Sequence, residues 1–290
     1  MQPRTVRANG VEFAYLESGP PDGPLALCLH GFPDTAHTWR HLLPELARTG
    51  YHAVAPWMRG YAPTGLPPTP VYQVGALASD ASALHHALGG DERAVVVGHD
   101  WGAFAAYGTA GVDPGRWRRV VTMAVPPLAA SGQGFFSYRQ LKRSFYVFLF
   151  QLPLAEAALA VEGGSFIDHL WEDWSPGYDG SADVARVHES LGDPERLAAA
   201  VGYYRALFDP SLQDPVYDAA QAAAASAPPQ PTLYLHGTDD GAMGIDAIGD
   251  VGAVLAPGSE HVVVEGTGHF LHLEQPEVVA GHVLGFLART

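Results

Sequence analysis

Short apolar runs alternate with helix-like stretches along most of this chain, and that alternation constrains the fold more than any single residue. Leu25 to Leu29, His52 to Ala55, Ala94 to Val97 and Arg119 to Val125 have strand length and strand composition. Trp39 to Arg48, Val74 to Leu88 and Ala103 to Ala110 separate them as helical stretches. Repeated strand–helix–strand units predict a mostly parallel sheet flanked by helices, an α/β architecture. Upstream, Thr5 to Arg7 and Val11 to Leu16 flank Asn9-Gly10, a hairpin turn signal. The rhythm stops after Pro126-Pro127. It resumes after Pro228-Pro229 with Thr232 to Leu235, Ile245 to Val254, His261 to Val264 and a last helix from Pro276 to Leu287. The residues between are rich in aromatics and helix formers and show no strand-like run. The simplest arrangement is a core of residues 1–127 and 228–290 interrupted by a helical insertion, 128–227. Insertions that long are usually lids or substrate domains. The Pro/Gly-rich stretch Gly60 to Val71 reads as a loop.

A chain of 290 residues buries roughly 75% of its unfolded surface and needs no staple. With 47% apolar and 16% charged residues it is an ordinary globular protein. Its formal net charge of −15 repels phosphates, which argues against nucleic acid and against docking on anionic lipid. The one cysteine, Cys28, lies inside an apolar run and reads as a buried strand residue. The segment Met1-Gln2-Pro3-Arg4 opens no apolar signal region. The most apolar stretch, Phe145 to Val161, is broken by Gln151, Pro153 and Glu156 and is short for a membrane span. A soluble cytoplasmic protein is expected.

Gly98-His99-Asp100-Trp101-Gly102 follows one strand and opens one helix. Small residues at both ends of such a segment allow a sharp turn that pushes the middle side chain outward. That side chain is a carboxylate, ionised at neutral pH when unperturbed. It needs no base to act as a nucleophile, and helix N-terminal amides favour its charge. The bland alternative is that Asp100 merely caps the helix.

Two further groups follow later strands and so fall at the carboxyl edge of the sheet, where α/β sites lie. His236-Gly237-Thr238-Asp239-Asp240 offers an acid, with Asp240 preferred over Asp239 by its spacing from the strand. Gly266-Thr267-Gly268-His269 offers a base. Nucleophile, acid and histidine in that chain order form a hydrolytic triad. Metal readings fail on spacing: no Glu follows His37 in the His37/His41 pair, and the adjacent His85 and His86 cannot share a ligand site. No metal or cofactor is expected.

His30-Gly31-Phe32-Pro33, His99-Asp100-Trp101-Gly102 and Gly268-His269-Phe270 together resemble the epoxide hydrolase branch of the α/β hydrolases. The resemblance covers most of the chain and implies the α/β-hydrolase fold with an inserted helical cap. It implies an oxyanion hole built from the backbone amides of Phe32 and Trp101. It also implies two cap tyrosines that hydrogen-bond an epoxide oxygen. One precedes a Phe-Gln-x-Pro segment, here Phe150-Gln151-Leu152-Pro153, which points to Tyr146. The other lies in a Tyr-Arg step, here Tyr203-Tyr204-Arg205, which nominates Tyr204.

The expected reaction is hydrolysis of an epoxide to a vicinal diol through an ester on Asp100. His269, oriented by Asp240, would activate the water. Phe32, Trp39, Trp101 and Phe150 are candidates for an aromatic pocket wall, which suits an apolar or aryl epoxide. Haloalkane dehalogenation with the same three residues is the runner-up. Trp101 fits it, but Phe32 stands where that branch carries an Asn. A non-catalytic binder would be expected to lack a triad member. An esterase would have to pass through an awkward anhydride. Whether the chain forms a homodimer is left open.

Overall fold

The computed structural model describes residues 2–132 and 134–289. Eight strands form one sheet in the order β1-β2-β4-β3-β5-β6-β7-β8. They are β1 (Arg4–Ala8), β2 (Val11–Ser18), β3 (Leu25–Leu29), β4 (His52–Pro56), β5 (Val95–His99), β6 (Arg119–Met123), β7 (Thr232–Gly237) and β8 (Glu260–Val264). β1 and β2 form the predicted hairpin, with Asn9 and Gly10 both at positive φ (44° and 76°) as a primed turn demands. β2 meets β4 antiparallel, and all later pairings are parallel. Every residue of β3, β4, β5, β6 and β7 is buried, as expected of parallel strands covered on both faces.

Helices α1 (Leu42–Arg48), α2 (Val74–Ala87) and α3 (Trp101–Val112) connect the core strands. Residues 124–231 leave the sheet at the end of β6 and return at β7. Among the described residues they hold helices and turns and no strand. The helix Asp218–Ala224 in this stretch packs against α2 and α3 beside the sheet. Gly108 shows how tightly: a Cβ there would meet Ala78 Cβ at 2.7 Å and Ala220 O at 3.1 Å. One expectation needs correction. The connection Ile245 to Val254 carries a single 3-10 turn, Ile245–Ala247, rather than a full element. Gly249 and Gly252 break the pattern, while Val251 packs on Tyr234.

The chain runs from β3 outward to β4, then crosses back to β5 on the other side. The direction of winding therefore reverses between β3 and β5, and the crevice beyond their carboxyl ends is the natural site in such a sheet. Beside it, a buried ion pair fixes the long loop after β4. Arg59 is 2% exposed and donates to both oxygens of Asp80 at 2.6 and 2.5 Å, and to Val71 O at 2.7 Å. Removing one partner strands the other charge in the interior. Asp80→Ala is therefore expected to lower unfolding free energy by about 3–5 kcal/mol, read from urea denaturation. A loss below about 1 kcal/mol, the range of an exposed pair, would mean that Arg59 finds water.

Candidate active site

β5 ends at His99 and α3 begins at Trp101, so Asp100 must reverse the chain by itself. Its backbone is left-handed, with φ 53° and ψ −119°. Such geometry is costly for a residue with a side chain and clusters at functional sites. The flanking glycines make it feasible. A Cβ on Gly98 would lie 2.2 Å from Gly102 O, and one on Gly102 would lie 2.1 Å from Leu29 O. Gly31 is as strict, since a Cβ there would fall 2.2 Å from Asp100 Oδ1. The absence of a side chain at Gly31 lets the loop after β3 close on the carboxylate. Phe32 N donates to Asp100 Oδ1 at 2.7 Å, and the Trp101 amide also hydrogen-bonds this group. Burial pushes the Asp100 carboxyl above its ordinary range, while His269 and the two amides pull it back.

Asp240 follows β7 and is buried, whereas its neighbour Asp239 is exposed. Asp240 accepts from the amides of Ala242 and Met243 at 2.8 and 2.9 Å, which fixes its carboxylate. His269 follows β8 and sets Nδ1 3.0 Å from Asp240 Oδ2. Its other nitrogen, Nε2, has no hydrogen-bond partner among the described residues and lies 3.8 Å from Asp100 Oδ2. That separation is too long for a direct bond and suits a bridging water. Burial opposes charge on His269, but the Asp240 carboxylate outweighs it and raises the imidazole above its ordinary value. The rings stacked behind differ. His99 lies 4.7 Å from His269 and 4.6 Å from His272. Burial lowers His99 well below the ordinary value and His272 to about 3. Of the three, His269 alone is poised to take a proton.

Asp34, His99 and His272 bring possible metal-ligand atoms within 4.8 Å of one another. Burial pushes Asp34 well above its ordinary value and both histidines below theirs, so charge on this set is unfavourable.

Above Asp100 lies a cavity of about 460 Å³ lined by Trp101, Tyr146, Tyr204, Phe104, Leu207 and His269 among others. Tyr146 comes from the helix Phe145–Leu149 and Tyr204 from the helix Pro194–Phe208. Their ring centroids are 5.7 Å apart, and Tyr204 stands edge-on to Trp101 at 5.0 Å. Burial, reinforced by the Asp100 charge, raises both phenols well above their ordinary value, which keeps them protonated donors. The neighbouring Tyr203 turns away and donates to Arg59 O at 2.7 Å.

Three of the four expected wall residues sit elsewhere. Trp39 is fully buried and stacks on His272 at 4.8 Å. Phe150 is also fully buried and backs Tyr146 and Tyr204 at 5.8 and 5.0 Å. Phe32 turns its ring onto Phe150 at 5.5 Å, so it offers its amide rather than its side chain. Only Trp101 of the four lines the cavity.

Residues 24–276 match the sequence profile of the alpha/beta hydrolase fold family. Epoxide hydrolase A of Mycobacterium tuberculosis is 31% identical over 98% of this chain and 96% of its own length. The chain belongs to the epoxide hydrolase branch of the α/β hydrolases. Among solved structures, the epoxide hydrolase of Vigna radiata is 28% identical, with a TM-score of 0.79 over 99% of this chain and 97% of that one. Epoxide Hydrolase A of Mycobacterium thermoresistibile is 25% identical, with a TM-score of 0.81 over 99% and 98%. Among the described residues no helix is long and apolar enough to cross a membrane.

One part of this hydrolase site escaped the sequence reading. The helix Ser165–Trp174 in the insertion ends against three loops of the core at once. The carbonyl of Trp174 accepts from His269 N at 2.8 Å and from Gly241 N, beside Asp240, at 3.1 Å. Ser175 Oγ accepts from Phe270 N at 3.0 Å and donates to Glu274 Oε1 at 2.7 Å, whose Oε2 takes Gly268 N at 2.8 Å. One turn earlier, Trp171 donates to Pro33 O at 2.9 Å and stacks on Phe270 at 3.5 Å. The helix end thus fastens the loops that carry Asp240, His269 and Phe32. Ser175→Ala leaves Glu274 and the Phe270 amide without their shared partner. It is expected to cost roughly 1–3 kcal/mol of stability, with a lower unfolding midpoint in denaturant, whereas Ser175→Thr keeps the hydroxyl and recovers part of the loss.

Proposed function

We propose that this chain hydrolyses an uncharged apolar epoxide to a vicinal diol through an ester on Asp100. The observation that carries the reading is the alignment around one carboxylate. Asp100 has the Phe32 amide on Oδ1, His269 Nε2 3.8 Å from Oδ2, and two phenols facing it across an apolar cavity. The full-length likeness to Epoxide hydrolase A of Mycobacterium tuberculosis supports the same reaction. Residues 128–227 serve as the cap and residues 1–127 with 228–290 as the core. Tyr146 and Tyr204 on the cap side and Asp100, Asp240 and His269 on the core side support that division. We place the enzyme in the cytoplasm, a setting with which one free thiol, Cys28, and no disulfide are compatible.

In the first half-reaction, Tyr146 and Tyr204 donate to the epoxide oxygen as its C–O bond breaks, which stabilises the developing alkoxide. Asp100 attacks the ring carbon from the opposite side and forms the alkyl ester. A phenol supplies the proton that leaves the opened ring as an alcohol. In the second half-reaction, His269 Nε2 takes a proton from water, and Asp240 stabilises the resulting imidazolium. The hydroxide attacks the ester carbonyl carbon. The amides of Phe32 and Trp101 hold the tetrahedral oxyanion; its collapse expels the diol and restores the Asp100 carboxylate, and the proton on His269 returns through solvent to the phenolate.

Three outcomes are expected. In a single turnover in heavy-oxygen water the label enters Asp100 and not the diol; label in the diol would mean direct attack by water. Tyr146→Phe and Tyr204→Phe each slow alkylation by roughly 10- to 1,000-fold, seen in stopped-flow fluorescence; two variants at the wild-type rate would dismiss the phenol assignment. The pH profile follows from His269. Its base form disappears as pH falls through a midpoint above the ordinary imidazole value of 6.5, because Asp240 raises it. Asp240→Asn removes that charge and leaves burial, which lowers the midpoint, so the acid limb of the ester-hydrolysis rate moves to lower pH while the maximal rate drops.

A further inference from the structure

The net charge of −15 argues against acidic lipid for the surface as a whole, but the charge is unevenly spread. From Pro114 to Ala155 the chain contains no Asp or Glu, and the single lysine of the protein, Lys142, lies in this stretch. It shares the helix Tyr138–Arg143 with Arg139 and Arg143. These three cations line a surface pocket together with Tyr138, Phe145 and Trp174, with Asp173 and Gly241 completing it. Arg143 pairs with Asp246, and Arg139 is 3.8 Å from the same carboxylate. Asp246 and Asp173 temper the local charge without reversing it.

Beside the cations lies an aromatic surface. Tyr138 is 83% exposed, Phe136 69%, Phe208 53%, Phe145 46% and Phe148 41%. Much of it is continuous. Phe135 touches Phe136 at 5.4 Å and Phe148 at 6.4 Å, and Phe148 stacks on Phe208 at 6.2 Å. The exposed Phe136, Leu207 and Phe208 also line the main cavity, with the half-buried Phe135, and so form its mouth. Exposed aromatic area of this kind marks a contact surface, and cations on the neighbouring short helix favour one with anionic headgroups.

We propose that this face docks on a bilayer carrying anionic headgroups. Arg139, Lys142 and Arg143 meet the headgroups, and Phe136, Phe148 and Phe208 reach the acyl boundary. The cavity mouth then faces the lipid. In the part that rests on the epoxide reading, an apolar substrate dissolved in the membrane enters the site without crossing water.

The test is flotation of the full chain with vesicles of phosphatidylcholine, alone or mixed with phosphatidylglycerol. Binding is expected to the mixed vesicles, several-fold weaker to phosphatidylcholine alone, and reduced by salt. Arg139→Glu with Lys142→Glu should weaken binding by at least about fivefold for each cation removed, with diol formation from a water-soluble epoxide and the thermal midpoint unchanged. Phe136→Ser with Phe208→Ser should lower binding to both vesicle types. Three results would overturn the proposal: a wild-type chain that floats with neither vesicle, a charge-reversed variant that binds as well as wild type, or a dimer in light scattering that shields Phe136. Flotation requires no turnover, so an inactive protein that floats would refute the reaction alone, and an active protein that does not float would refute the docking alone.

Discussion

Everything in the site is arranged around the backbone of one residue. Asp100 is held at φ 53°, a conformation a side-chain-bearing residue avoids unless its surroundings impose it. The imposition comes from contact: Gly98 against the Gly102 carbonyl, Gly102 against Leu29 and Gly31 against Asp100 itself. Strand β5, strand β3 and helix α3 approach so closely that no methyl group fits between them. The result is a carboxylate lifted off the sheet edge, with two amides on it before any substrate arrives. The strain at the turn and the preorganisation of the donors are therefore one feature seen from two sides.

The electrostatics follow from that placement. Asp100 and Asp240 are two buried carboxylates on either side of one imidazole. His269 supplies the compensating charge to both, and its own affinity for the proton rises in return. Burial alone would have driven it the other way, as it does for His99 and His272 in the same stack. Three adjacent histidines thus differ in proton affinity because, among the described residues, only one of them has a carboxylate as its hydrogen-bond partner.

Much of this was legible in the sequence. The strands from β3 to β7 announce themselves as apolar runs because both faces of the sheet are covered. The Gly-x-Asp-x-Gly turn and the chain order of Asp100, Asp240 and His269 are local patterns with a mechanical cause. Spacing preferred Asp240 to Asp239, and burial separates them in the same sense. Other features had no local sign. Ile245 to Val254 has apolar residues at helical spacing, but Gly249 and Gly252 prevent the helix. Trp39 and Phe150 are aromatic, as a pocket wall would be, yet composition cannot tell a ring facing a cavity from one facing the layer behind it. The contacts of Trp174 were out of reach altogether, since they run through its backbone carbonyl, which every residue possesses.

That carbonyl has a consequence for how the molecule can breathe. It accepts from the backbone beside the acid and from the base itself, while Trp171 on the same helix grips Pro33. Any motion lifting the helix Ser165–Trp174 would pull Asp240, His269 and the Phe32 loop out of register together. The insertion and the loops of Asp240 and His269 are therefore coupled at this contact, and because the acceptor is a main-chain carbonyl, the coupling would survive a change of side chain at position 174.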